Sequence, residues 1–393
     1  MIKRNAENEL RNLAAQFKAI ALTGPRQSGK STLVRYVFND KPYVSLENPD
    51  SRRFALEDPR GFLHSYRDGA VIDEVQRVPE LFSYLQQMLD ETNESGKFVL
   101  TGSNNFLLRE NISQSLAGRI AYLTLLPFSY DEVKPLAGKD EENLIFKGFY
   151  PPLYDQPLEP SRWHSNYIST YVEKDVRQLL NISNHLLFDR FIKLCAGRTG
   201  QLLNMNNLAI ETGVDNKTVA AWISILESSY IIFRLQPHFR NFNKRLVKTS
   251  KLYFYDTGLL ANLLGIRDKS QVRHHPLYGS LFENLVISEF LKTVRHLALP
   301  VDLYFWRDNT GHEIDLLLEG AGFMLPIEIK AGKTITSEFF TNLQFFQKIS
   351  TLNNSVLIFA GDELQKRSNG IQVMPWHRIS ELVNQIGGMR ENG

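Results

Sequence analysis

The chain has 393 residues, of which 43% are hydrophobic and 22% charged, with a formal charge of +2. That length exceeds one ordinary core and predicts two or three domains. The near-balanced charge excludes a globally basic nucleic-acid binder, so any basic surface has to be local. A single cysteine, Cys195 in the apolar pattern FIKLCAG, excludes an internal disulfide and fits a reducing compartment. No apolar run approaches the length of a bilayer span, and the polar start MIKRNAENELRN has no signal core. The expectation is a cytoplasmic protein without membrane contact.

Residues 1–18 pattern as an amphipathic helix, with Ile2, Leu10, Leu13 and Phe17 toward one side. The next stretch, AIALTGPRQSGKSTLVRYVF (19–38), reads as a short apolar strand, a glycine-bounded turn and a helix starting near Lys30. Gly24, Pro25, Arg26, Gln27, Ser28, Gly29, Lys30, Ser31 and Thr32 span the phosphate-loop pattern G-x-x-x-x-G-K-[ST] without a mismatch. Glycines let backbone N–H groups curl around a phosphate, and the helix behind adds the positive end of its dipole. Lys30 is placed to reach the β- and γ-phosphates of ATP, and Ser31 to complete a magnesium shell.

PYVSL (42–46) reads as a second strand. GAVIDEVQ (69–76) has the small and β-branched residues of a buried parallel strand that delivers carboxylates at its C-terminal edge. Asp73 is the expected magnesium partner and Glu74 the base that polarises water. KFVLTGSNN (97–105) is a further buried strand; Ser103 or Asn104 at its end is either a water-orienting side chain or an ordinary helix cap. Arg119, before the apolar strand IAYLTLLPF, reads either as an arginine finger acting in its own or a neighbouring subunit, or as a structural salt bridge. Strands alternating with helices predict an α/β domain with a parallel sheet over residues 1–155.

GPRQSGKST, VIDEVQ, LTGSNN, SLAGR and the later TYVEKDVRQL together resemble a family of bacterial and archaeal P-loop ATPases of the AAA+ superfamily. Its members carry a C-terminal half catalogued as a domain of unknown function. The resemblance implies nucleotide-binding, acidic and sensor roles for Gly24–Thr32, Asp73 with Glu74, and Ser103 or Asn104. The charged cluster in SNYISTYVEKDVRQLL (165–180) reads as a solvated face held by weak pairs, or, because the stretch belongs to the resemblance, it makes Arg177 a candidate sensor of the nucleotide state.

Residues 156–250 read as a helical, winged-helix domain. LFDRFIKLCAG, NNLAIETG and NKTVAAWISILESSYIIFRL are three helices, the last running into a strand, with Asp215 placed to cap the third. Its would-be recognition helix is sparse in base-reading residues, offering Asn216, Lys217 and Thr218 before turning apolar. His238, Arg240, Lys244, Arg245, Lys248 and Lys251 follow, interleaved with Phe239 and Phe242. They read either as a wing that tracks the phosphates of DNA or RNA, or as a solvated basic hairpin or a packing lid for the ATPase.

Residues 251–393 hold a second candidate site. A helix over 280–292 carries Glu283, a hairpin bends at Asn309–Gly311, and PIEIKAG (326–332) is one more strand. Asp315 followed by Glu328-Ile329-Lys330 fits the D-x(n)-E-x-K pattern of the PD-(D/E)XK nuclease-like fold, with Glu283 as a helical acid. Alternation turns Glu328 and Lys330 to one face, where Asp315 can join them around magnesium. Three functions follow: an ATPase coupling its nucleotide state to a C-terminal binding or docking unit, an ATP-regulated magnesium-dependent nuclease, or a nucleotide-switched regulatory or defence module. Beyond ATP and nucleic acid, the candidate partners are a second copy of the chain and another protein.

Overall fold

The computed structural model describes residues 2–103, 116–176, 185–239, 247–350 and 352–388. Asn104 and Arg177 lie outside them, as do Arg240, Phe242, Lys244 and Arg245. The chain divides into two units. The first holds residues 1–128 together with 228–230 and 295–298; the second holds the rest.

In the first unit, helix α1 (Ala6–Gln16) leads into strand β1 (Ala19–Thr23), and helix α2 (Lys30–Val37) follows the glycine turn. Strands β2 (Tyr43–Ser45), β3 (Ala70–Asp73), β4 (Phe98–Gly102) and β5 (Ile120–Thr124) complete a five-stranded sheet of order β2-β3-β4-β1-β5. All its pairings are parallel. Side-chain alternation feeds two cores: Ala19, Ala21, Ile72 and Leu100 on one face, Ile20, Leu22, Val71 and Val99 on the other. Burial on both faces is why these strands read as near-continuous apolar runs. With every strand pointing one way, the C-terminal ends of β1, β3 and β4 gather at one edge.

In the second unit, helices α3 (His185–Ala196), α4 (Met205–Thr212) and α5 (Asn216–Ser228) follow the expected three-helix pattern. Asp215 caps the last by accepting from the Thr218 amide at 2.7 Å. Strands β6 (Ile232–Pro237) and β7 (Lys251–Phe254) pair antiparallel. They do not close a separate domain. They are the last two strands of an eight-stranded sheet, because β6 runs parallel to β8 (Asp302–Arg307). The expected boundary at residue 250 therefore falls between two paired strands, and the strands expected to belong to a middle domain are built into the C-terminal sheet.

Helix α6 (Tyr278–His296) and the hairpin of β8 with β9 (Glu313–Gly320) precede β10 (Phe323–Lys330). Helix α7 (Thr341–Ser350) leads to β11 (Ser355–Phe359), which pairs with β10 in parallel; β12 (Gln365–Lys366) and β13 (Ile371–Pro375) finish the sheet. No helix among the described residues is long and apolar enough to cross a membrane.

Candidate active site

The loop after β1 takes its shape from its glycines. Gly29 sits in the left-handed region (φ 88°) as the cap of α2, where a side chain would be strained. A Cβ on Gly24 would stand 2.0 Å from the Leu125 carbonyl oxygen, so only glycine lets the loop pass its neighbour. Lys30 is buried, and its ammonium donates to the carbonyls of Gly24 (2.9 Å) and Pro25 (2.8 Å). Burial pushes its pKa from the ordinary 10.5 down to about 8, with Glu74 and Asp73 pulling the other way. Among the described residues its bonded partners are carbonyls, and the acids Glu74 and Asp73 act on it only through space.

Asp73 ends β3 and collects hydroxyls. Ser31 Oγ lies 3.3 and 3.2 Å from its two oxygens, Tyr43 donates at 2.5 Å, and Thr101 donates from β4. Burial and the bond to Asp73 raise the Tyr43 phenol pKa, and the Arg35 guanidinium lies 3.7 Å from the centre of its ring. Glu74 takes a left-handed backbone (φ 54°), a conformation costly for a side-chain-bearing residue. Its Oε2 accepts from Ser103 Oγ (2.9 Å) and from Gln76 Nε2 (2.5 Å), while its Oε1 takes no hydrogen bond among the described residues. Because β4 lies between β1 and β3, Ser103 stands beside both the acids and the loop.

The loop is braced from the chain's start. Buried Arg4 donates to the carbonyls of Ser28 (2.7 Å) and Leu126 (2.7 Å) and packs over the Phe128 ring. Nothing in the local pattern of residues 1–18 marks Arg4 for this, since Leu126 is 122 residues away. Tyr43 and Thr101 are equally unmarked in the sequence: Thr101 stands near the C-terminal end of β4, and Tyr43, at the start of β2, reaches Asp73 through its long side chain.

Arg119 is not at this edge. It precedes β5, and its carbonyl accepts from the Ala19 amide at the start of β1, so it stands one strand length, ~17 Å, from the phosphate loop. Its guanidinium pairs with Asp90 at 2.5 and 3.0 Å. The finger expected within its own subunit is thereby corrected to the salt-bridge alternative.

The second candidate site does come together. Antiparallel register between β9 and β10 sets Asp315 across from Glu328, and Asp315 Oδ2 accepts from the Ile329 amide at 2.8 Å. The Lys330 ammonium lies 2.6 Å from Glu328 and 4.0 Å from Asp315. Glu283 accepts from Tyr253 (2.5 Å) and pairs with Lys251 (3.1 Å), whose ammonium also grips Glu313. Burial and the neighbouring acids Glu328 and Glu283 push the Asp315 pKa well up, and burial raises that of Glu328. Lys251 and Lys330 are also pushed up: burial opposes their charge, but the surrounding acids outweigh it. Lys251 has only 3% of its side chain exposed and neutralises the acid that the D-x(n)-E-x-K reading assigns to the metal. Among the described residues, no three His, Cys, Asp or Glu converge with metal-binding geometry. Glu328 Oε2 is buried with no hydrogen-bond partner among the described residues, so the acid pair can take up a proton or a cation.

A five-stranded parallel sheet whose first strand feeds a glycine loop, with acids at the end of the strand one place beyond its neighbour, defines a P-loop nucleotide-binding domain. Residues 16–134 match the AAA domain family, while 138–270 and 278–379 match two domains of unknown function, DUF8612 and DUF4143. The chain is 32% identical over 337 residues to the uncharacterized protein Rv2008c of Mycobacterium tuberculosis, covering 84% of this chain and 74% of the relative. It belongs to that protein's family. A more distant relative, uncharacterized protein MJ1544 of Methanocaldococcus jannaschii, is 23% identical over 351 residues, covering 80% of this chain and 75% of its own length. Among solved structures, the Walker-type ATPase PABY2304 of Pyrococcus abyssi is similar over 67% of this chain and 96% of its own (TM-score 0.48, 15% identity). A point variant of Thermotoga maritima RuvB is similar over 59% and 90% (TM-score 0.30, 17% identity).

Proposed function

We propose that the first unit binds Mg–ATP in the loop of residues 24–32 and hydrolyses it, and that the nucleotide state governs the C-terminal unit. The observation that carries this reading is Lys30: a buried ammonium with a depressed pKa, bonded among the described residues to carbonyls alone, wants an anion. Ser28 Oγ, buried in the same loop with no partner among the described residues, is a further polar group that a ligand can satisfy.

Lys30 neutralises phosphate charge, and Ser31 with Asp73 holds magnesium; the cation supplies charge neutralisation between the phosphates. Tyr43 and Thr101 keep the Asp73 carboxylate aimed at Ser31. Glu74, clamped at Oε2 by Ser103 and Gln76, offers its Oε1 to take the proton of the attacking water. The test is turnover with Glu74→Gln beside the parent protein: loss of hydrolysis with retained ATP binding supports the assignment, and unchanged turnover removes Glu74 from its role.

A second reading, a magnesium-dependent nuclease, is favoured by the convergence of Glu283, Asp315, Glu328 and Lys330. Lys251 weighs against it, because it leaves an acid pair rather than a triad for the metal. Incubation with DNA or RNA and magnesium, beside Asp315→Ala, decides. Cleavage lost in Asp315→Ala supports the nuclease; no cleavage supports a binding or docking unit.

A further inference from the structure

Two short stretches, 228–230 and 295–298, group with the first unit although the chain on either side of each belongs to the second. They have the same construction. Helix α5 ends at Ser228, and the Ile231 amide returns to the Leu226 carbonyl at 2.9 Å. Helix α6 ends at His296, and the Leu299 amide returns to the Val294 carbonyl at 3.0 Å. Each is a six-to-one helix cap, which requires a left-handed residue one place before its end. Glycine is the usual occupant, yet here the left-handed residues are Tyr230 (φ 58°) and Ala298 (φ 45°). A bulky, buried tyrosine held in that conformation is a cost that glycine would avoid, and such strain persists where something else uses the side chain.

What uses it is the phosphate loop's support. The Tyr230 hydroxyl donates to Thr23 Oγ1 at 2.9 Å, one residue before Gly24. The other cap delivers buried His296, whose Nε2 accepts from the Leu126 amide at 3.2 Å. The Leu126 carbonyl in turn accepts from Arg4, which also holds the Ser28 carbonyl of the loop. Leu125, between them in this support, presents the carbonyl that only glycine at position 24 can pass. Two helix ends thus reach the loop by separate routes, one through Thr23 and one through Leu126.

We propose that Tyr230 and His296 are positioning residues for the nucleotide site, setting the phosphate loop from behind and tying its state to the helices α5 and α6 that they terminate. This deepens the ATPase reading and rests on it. A shift of Thr23 or Leu126 on nucleotide binding reaches α5 and β6 through one cap, and through the other α6, the helix that carries Glu283.

The test uses the full chain and a non-hydrolysable ATP analogue with magnesium. Tyr230→Phe keeps the ring and the backbone conformation and removes one hydrogen bond, so its affinity for the analogue falls about fivefold. A merely structural tyrosine would lower the melting temperature of the nucleotide-free protein and leave the affinity untouched. In parallel, hydrogen exchange of the parent protein, which needs no variant, is compared with and without the analogue. The expectation is slowed exchange at 227–231 and 294–299 as well as in the loop. Unchanged affinity in Tyr230→Phe, or unchanged exchange at both caps while the loop itself is protected, overturns the proposal. Failure of the parent protein to bind the analogue strikes instead at the ATPase reading.

Discussion

The phosphate loop and the C-terminal acid cluster both bury lysines, and the lysines respond in opposite directions. Lys30 is pushed down because burial outweighs the pull of Glu74 and Asp73, whereas for Lys251 and Lys330 burial is outweighed by the acids around them. A buried cation bonded to carbonyls alone, with acids acting only through space, leaves room for an anionic ligand. A buried cation among carboxylates marks a site that has largely completed itself. The first holds its cation on carbonyls, and the second is largely neutralised from within.

The largest expected effect is on turnover: Glu74→Gln lowers kcat about 100- to 10,000-fold, with ATP affinity preserved, as measured by phosphate release and analogue titration. Next comes the stability contrast between the two lysines. Lys251→Met strands Glu283 and Glu313 and costs ~3–5 kcal/mol in denaturant unfolding. Lys30→Met abolishes ATP binding yet relieves a charge-burial cost of ~3 kcal/mol, less what its two carbonyl bonds return, so the nucleotide-free protein is not destabilised at pH 7. If both substitutions destabilise alike, the distinction between the sites fails.

The pH dependence sharpens it. Unfolded Lys30 keeps its proton up to about 10.5, but folded Lys30 loses it near pH 8. Between these values the unfolded chain binds more protons, so this group makes stability rise with pH; below pH 8 its penalty is constant. That rising component is absent in Lys30→Met, and difference unfolding curves between pH 7 and 10 reveal it. ATP affinity runs the other way, weakening above pH 8 as the free protein loses the charge that phosphate needs. The smallest effect belongs to Arg119→Ala: at dilute protein concentration, turnover and melting temperature stay as in the parent chain.

The phosphate loop is legible in the sequence because its physics is local: nine consecutive residues set their own backbone and the helix dipole behind it. Asp73 and Glu74 are legible for a related reason, since a buried parallel strand ending in acids has one edge at which to deliver them. The pattern around Arg119 misleads because it marks the strand that the residue borders and not that strand's direction. A residue that precedes a parallel strand stands at the opposite edge from the loops that bind. Arg4, Tyr230 and Lys251 are illegible as site residues. Their partners are far away along the chain, and only the finished tertiary fold brings them into contact. The boundary expected at 250 falls between two paired strands, because a strand's allegiance is set by its neighbours in the sheet and not by the helix before it.

The most direct measurement is calorimetric titration of Mg–ATP into the full chain and into Lys30→Met. Saturable one-site binding to the parent protein and none to the variant is the expected result. Equal binding to both, or binding to neither, would contradict the assignment of the loop between Gly24 and Thr32 as the seat of the triphosphate.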